Sequence, residues 1–308
     1  MTEPARGRAG GKVILLGEHA VVYGRPALAA GLARGVVAEV RHGAGPALVS
    51  DRPELGADQR PARAVAQAAA LLGLDPTTVV VTVRSELPAG AGLGSSAALV
   101  VAVLRALAAA AGRELTLADE LTLGRRLEAI FHGHPSGVDP AAAALGPVCF
   151  RFVSGEPPAV TRLTLAAPLP LVLGFGDRPR STAAAVGGLR ARWAAEPARH
   201  ERLFDEIAAI VEAGVRAAET GDLAALGRAL DANQAVLAAL GVSSAETEAL
   251  IAAARRGGAL GAKLTGGGGG GAVVAVAPEP ARVAAALGGA GARTLAVTVG
   301  PRGEEAAA

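Results

Sequence analysis

Cysteine is almost missing from this sequence: Cys149 is the only one in 308 residues. A single thiol excludes an intramolecular disulfide framework and any multi-cysteine metal site, and its ordinary place is as a small buried apolar residue. Aromatic residues are also scarce, at 2%. A core must therefore be built from Ala, Leu and Val, and a hydrophobic share of 51% is enough for a sizeable one. No apolar run of about 18 residues free of charge and glycine occurs, so no membrane span is expected. Residues 1–11 lack the apolar segment of a secretory signal. Neither sign of charge dominates: 30 basic residues face 28 acidic ones, and the formal net charge is +2. No basic run stands out, which argues against nucleic acid as a partner and leaves room for a local basic pocket for phosphates. No Gly-x-x-x-x-Gly-Lys-[Ser/Thr] loop exists, since the nearest approach, Gly11-Lys12, is followed by Val13. Together these absences read as a soluble, cytoplasmic protein of two ordinary domains or one large one.

What is present falls into two parts. Residues 12–16 and 36–40 read as strands of an antiparallel sheet, with a turn at Gly24-Arg25-Pro26. A helix is expected over 61–72 and a β-branched strand over 78–84. A long loop then leads into a strong helix at 95–111, ended by Gly112. Thr116 and Asp119 form a capping-box-like pair opening another helix, whose Leu117, Leu121, Leu127 and Phe131 suit one buried face. The second half is more helical, with amphipathic patterns over 201–220, 223–240 and 245–256. A strand at 272–277, a helix at 279–287 and a strand at 293–299 follow. The change of pattern falls in the Pro-rich stretch 157–170 and suggests a two-domain α+β protein.

Four segments carry chemistry. Gly92-Leu93-Gly94-Ser95-Ser96-Ala97-Ala98 lets an anion approach backbone N–H groups and the positive end of the next helix. Taken alone it fits a phosphate loop, a loose dinucleotide fingerprint or a serine helix cap. It fails the Gly-x-Ser-x-Gly elbow of a hydrolase at the last position. Lys12 before a strand and Glu18-His19 after it can point into one cleft, or can be an edge lysine and a solvated acid. Glu128 sits late in its helix, where a carboxylate opposes the dipole. Asp139 follows on the Gly/Pro-shaped loop His132-Gly133-His134-Pro135-Ser136-Gly137-Val138-Asp139. These two carboxylates can divide labour between Mg²⁺ and a substrate hydroxyl. The two histidines also admit a zinc reading, with no further His or Cys nearby to complete it. Lys263-Leu264-Thr265 runs into six glycines, 266–271, between an apolar helix and an apolar strand. That position suits a loop pressed against substrate or phosphates better than a linker.

In this order the four segments resemble the GHMP kinase superfamily over nearly the whole chain. Three of them look specifically like its mevalonate kinase branch: Gly11 to Gly24 around Gly17-Glu18-His19, the segment ending in Pro135-Ser136-Gly137-Val138-Asp139, and Lys263-Leu264-Thr265-Gly266-Gly267-Gly268-Gly269. Arg180-Ser181-Thr182 and Gly241-Val242-Ser243 also fall where such kinases carry short motifs. The resemblance implies an α+β, two-domain fold with the active site in the cleft between the domains. The N-terminal domain, 1–165, is ribosomal-protein-S5-like and binds nucleotide, and the C-terminal domain, 166–308, is ferredoxin-like. It implies an ATP- and Mg²⁺-dependent phosphotransferase acting on the C5 hydroxyl of mevalonate in isoprenoid biosynthesis, and it admits a homodimer. Asp139 then takes the hydroxyl proton or anchors it electrostatically, beside Lys12. Ser96 and Glu128 bind Mg²⁺. Gly90, Gly92, Leu93, Gly94, Ser95, Ser96 and Ala97 cradle the triphosphate. Glu18, His19, Thr182 and Gly267 border the substrate. Pro140 departs from the Asn that many relatives carry after the aspartate. Competing readings are a silent nucleotide-binding relative and a dehydrogenase using the Gly92 loop.

Overall fold

The computed structural model describes residues 4–43, 48–51, 58–88, 92–132, 135–146, 148–176 and 182–300, the last range without the side chains of 182–184. The first half is built on a long hairpin. Strand β1 (Ala5–Leu16) leads through a 3-10 turn (Ala20–Tyr23) into β2 (Pro26–His42). The two pair antiparallel from Ala5↔Val40 to Leu16↔Leu28. Both strands outrun the expected 12–16 and 36–40. The missed portion of β2, Pro26-Ala27-Leu28-Ala29-Ala30-Gly31, has no alternating pattern because it is buried on both faces.

β2 pairs with β4 (Val79–Ser85) along one stretch and with β5 (Cys149–Val153) along another, both antiparallel. The short β3 (Leu48–Ser50) and β6 (Ala159–Arg162) flank β4 and β5. Helices α1 (Gln59–Leu71), α2 (Ser95–Ala110), α3 (Leu117–His132) and α4 (Val138–Leu145) pack together, with α2 against β1 and β2. From Ala97 to Ala108, α2 is buried all round except at Arg105, as an apolar central helix requires. The approach is close: a Cβ added to Gly7 of β1 would lie 2.1 Å from the Ala102 carbonyl oxygen.

The capping box forms, with Thr116 N–H donating to Asp119 Oδ2 at 2.9 Å and Asp119 N–H to Thr116 Oγ1 at 3.1 Å. Leu117 corrects the expected buried face, because it is 39% exposed. Its angular position is right, but it is the first residue of the helix and projects past the packed surface. Asp139 also sits differently from expectation. It lies on the first turn of a helix, α4, rather than on a loop. Pro140, the next residue, is tolerated in the helix because first-turn N–H groups have no partner to lose.

The second half holds a four-stranded sheet whose strands lie in the order 293–299, 169–175, 272–276 and 261–264. Its strands are β7 (Leu169–Phe175), β8 (Gly261–Leu264), β9 (Ala272–Val276) and β10 (Arg293–Val299). Helices α5 (Thr182–Ala195), α6 (Pro197–Thr220), α7 (Leu223–Ala239), α8 (Ala245–Arg256) and α9 (Pro280–Gly289) complete it. The passage from the first sheet to the second falls between β6 and β7. One hydrophobic cluster still joins the halves, from Leu15, Leu16 and Leu28 to Phe204, Leu230 and Leu264. Cys149 is buried in it, and burial pushes its thiol pKa up to about 12. Among the described residues no helix is long and apolar enough to cross a membrane.

Candidate active site

Two small cavities, of about 140 and 170 Å³, meet where the halves face each other. Both are lined by Lys12, His132, Asp139, Gly266 and Gly267. The second adds the glycine-rich elements Gly92, Gly94, Ser95, Ser96 and Gly268, and the first adds Glu18, His19, Val22, Glu128 and Val186.

Lys12 is placed by its backbone and its stem together. Its N–H donates to the Leu93 carbonyl at 2.9 Å, which ties β1 to the glycine loop. Gly94 takes φ 70° and packs so tightly that an added Cβ would lie 2.7 Å from Lys12 Cγ. The Lys12 ammonium reaches Asp139 Oδ1 at 3.2 Å. Asp139 sits in the first turn of α4, entered through Gly137 at φ 95°. The carboxylate therefore faces a cation and the positive end of a helix at once. Two charges that burial would penalise singly are arranged to offset each other.

Ser96 lines the second cavity, near the N-terminus of α2. Its hydroxyl donates to Glu128 Oε1 at 2.8 Å and contacts His132 Nε2 at 3.2 Å. Glu128 is buried, and its Oε2 has no hydrogen-bond partner among the described residues. The hydrogen bond to Glu128 raises the His132 pKa against the effect of burial. Among the described residues no three His, Cys, Asp or Glu side chains cluster to hold a metal ion. The zinc reading therefore gains nothing, and His134 lies outside the described residues. One buried carboxylate with an open oxygen and one hydroxyl do fit Mg²⁺, which takes few protein oxygens and completes its shell with phosphate and water.

On the other side Glu18 and His19 open a strained turn. His19 has φ 62° and ψ −53°, and Ala20 N–H donates to the Glu18 carbonyl at 2.7 Å, a γ-turn that non-glycine residues rarely adopt. Burial, and then the nearby Lys263, lower the His19 pKa to about 4, against a backbone hydrogen bond to Gly267. The imidazole is thus neutral at pH 7, and its Nε2 has no partner among the described residues. Protons bind the unfolded imidazole near 6.5 and the folded one only at about 4. The unfolded state takes up more protons in that window, so stability falls on acidification from pH 6.5, by about 3 kcal/mol at pH 4. Chemical denaturation at several pH values should show this slope, and His19→Asn should flatten it. An equal slope in the variant would remove His19 as its source.

Asn233 and Gln234 were not among the expected site residues, and Lys263 was expected on a loop against substrate but lies on β8, yet all three hold the site. Lys263 donates to Glu18 Oε1 and, at 2.5 Å, to the Leu264 carbonyl. Asn233 Oδ1 accepts from Gly17 N–H at 3.0 Å, and Gln234 Oε1 accepts from Leu264 N–H at 2.9 Å. Asn233 and Gln234 read in sequence as mid-helix polar residues, and their burial was the only signal. The Gly241-Val242-Ser243 motif buttresses the glycine loop, since the Val242 carbonyl accepts from Gly269 N–H at 3.2 Å. Leu93 and Ala97 are buried and line neither cavity, so any part they play is through backbone. Gly90 and the side chain of Thr182 lie outside the described residues. The dinucleotide reading gains nothing, because the Gly92 loop feeds a helix laid on a mostly antiparallel sheet, and the parallel β3–β4 pair with α1 between its strands lies before the loop and does not enclose it.

A mixed two-sheet fold with a glycine loop at a helix N-terminus, facing a Lys–Asp pair across a cleft, defines a small-molecule kinase of the GHMP type, and the chain belongs to the GHMP kinase family. Residues 60–147 match the GHMP kinases N terminal domain and residues 215–293 the GHMP kinases C terminal domain. Within the family it is similar to mevalonate kinases. The chain is 34% identical to that of Thermococcus onnurineus, over 95% of each chain, and 35% identical to that of Aeropyrum pernix, over 86% of each. The crystal structure of L. major mevalonate kinase in complex with R-mevalonate superimposes with a TM-score of 0.84 at 29% identity, covering 98% of this chain and 97% of that one.

Proposed function

We infer that this chain transfers the γ-phosphoryl group of ATP to the C5 hydroxyl of mevalonate, giving 5-phosphomevalonate and ADP. The observation that carries the reading is the shared wall of the two cavities. Lys12 and Asp139 face the glycine loops on one side and a largely apolar pocket on the other. Phosphoryl transfer asks mainly for positioning and charge neutralisation along a line joining donor and acceptor. The acceptor pocket offers polar groups at Glu18 and His19, and an apolar wall from Ile14, Val22 and Val186. Val22 and Val186 are 46% and 37% exposed, large for apolar side chains. Such a surface suits a small alcohol that is polar at its ends and carries an apolar branch, as mevalonate does.

In this reading Asp139 receives the proton of the attacking hydroxyl, and Lys12 steadies the charge on the hydroxyl oxygen and on the transferring group. Backbone N–H groups of the Gly92–Ser96 loop and the start of α2 bind the phosphates. Ser96 and Glu128 hold Mg²⁺, which when bound neutralises phosphate charge. The nucleotide-binding domain spans 1–165 and the second domain 166–308. Incubation of the purified chain with ATP, Mg²⁺ and a panel of mevalonate, homoserine, galactose and phosphomevalonate tests the reading. ADP release is expected with mevalonate, and preference for another alcohol overturns the substrate. Ser96→Ala should raise the Mg²⁺ concentration needed for half-maximal rate by about tenfold. An unchanged requirement removes Ser96 from the metal.

A further inference from the structure

Lys263 is fully buried, and it lines neither cavity. Its ammonium donates to Glu18 Oε1 and to the Leu264 carbonyl. Glu18 follows the first strand of the first sheet, whereas Lys263 lies on β8 of the second, so the pair crosses the seam between the halves. Burial works against both charges, raising the Glu18 carboxyl and lowering the Lys263 ammonium, and their mutual attraction opposes it. For stability alone, two apolar side chains of similar volume would serve as well or better.

What an apolar pair cannot supply is a fixed direction for a carboxylate. Lys263 takes one oxygen of Glu18, and the other, Oε2, has no partner although it is buried on a residue that lines the acceptor pocket. The next residue is His19, held in the strained γ-turn with its Nε2 likewise buried and unpartnered. Two further bonds tie the turn's flanks across the same seam. Thr265 Oγ1 donates to the Ile14 carbonyl at 3.0 Å, and Gly17 N–H donates to Asn233 Oδ1 at 3.0 Å.

We propose that Lys263 is a positioning residue for the acceptor: through Glu18 it holds the 18–20 turn so that Glu18 Oε2 and His19 Nε2 stand ready for the hydroxyl that is not phosphorylated. This rests on the acceptor pocket assigned above. It assigns Lys263 no contact with substrate, phosphate or metal. A tether of this kind shows in acceptor binding, because loss of the held geometry leaves the nucleotide half intact.

Steady-state KM values for acceptor and for ATP in Lys263→Met, Glu18→Gln, the double variant and Lys263→Arg test the idea. Each of the first two should raise the acceptor KM by about tenfold or more and leave the ATP KM within about twofold. The double variant should be no worse than Glu18→Gln, because residues acting as a unit are not additive. Lys263→Arg keeps the cation and should return the acceptor KM to within about threefold of the parent. An unchanged acceptor KM in Lys263→Met, independent effects that multiply in the double, or both KM values rising together would each overturn the proposal. Should Lys263→Met fail to fold, Lys263→Gln, which keeps a neutral donor, is read by the same acceptor criterion. If mevalonate is not the acceptor, the alcohol selected by the panel replaces it, so failure of the substrate reading leaves this test standing.

Discussion

Replacing Asp139 by Asn is expected to lower kcat by about 10³-fold, within the range that a positioned proton acceptor supplies. The amide keeps the volume and a hydrogen-bonding oxygen, so the fold and the ATP KM should change little. Two properties are lost together: the place for the hydroxyl proton, and the negative partner of the Lys12 ammonium 3.2 Å away. Asp139→Ala should fall as far. Single-turnover measurement with saturating ATP and acceptor isolates the chemical step from product release. A rate within a few fold of the parent in either variant would dismiss Asp139 from the reaction.

Lys12→Met is expected to cost about 10²- to 10³-fold in kcat, the usual loss when one preorganised donor to a developing charge is removed. Methionine fills nearly the same stem volume, which matters because Gly94 packs directly on Lys12 Cγ. The loss should therefore reflect charge rather than a cavity. Lys12→Arg should not rescue well, since the branched guanidinium cannot occupy the space under Gly94 without moving the loop. The check is kcat with circular dichroism and ATP affinity in parallel. Full activity in Lys12→Met would leave the ion pair as a structural tie only.

Much of this was legible in the residues. The helix at 245–256 and the strand at 293–299 are where their periodicity puts them, and the cap at Thr116 closes as its spacing predicts. Local signals of this kind depend only on neighbours a few positions away. The long hairpin was only half visible, because strands covered on both faces lose the alternation that marks a strand. α4 was hidden by the glycines and Pro135 that precede it, a loop signal that ends only at Gly137, where the helix begins.

The composition and the motifs by themselves determined an Ala-, Leu- and Val-built protein with a glycine loop at Gly92 to Ala98 open to three readings, a lysine at 12 and carboxylates at 128 and 139. They also marked Lys263 as belonging to a loop near substrate. Only the tertiary structure decided what these groups do to one another. The Lys12–Asp139 contact joins residues far apart in sequence, the Ser96–Glu128 bond joins two helices, and Lys263 meets Glu18 across two sheets. What favours the phosphate reading of the Gly92 loop is likewise tertiary: the mostly antiparallel sheet behind it and the cavity in front. Chain-distant contacts are fixed by the packing of whole elements, and no local pattern encodes which buried oxygen is left open.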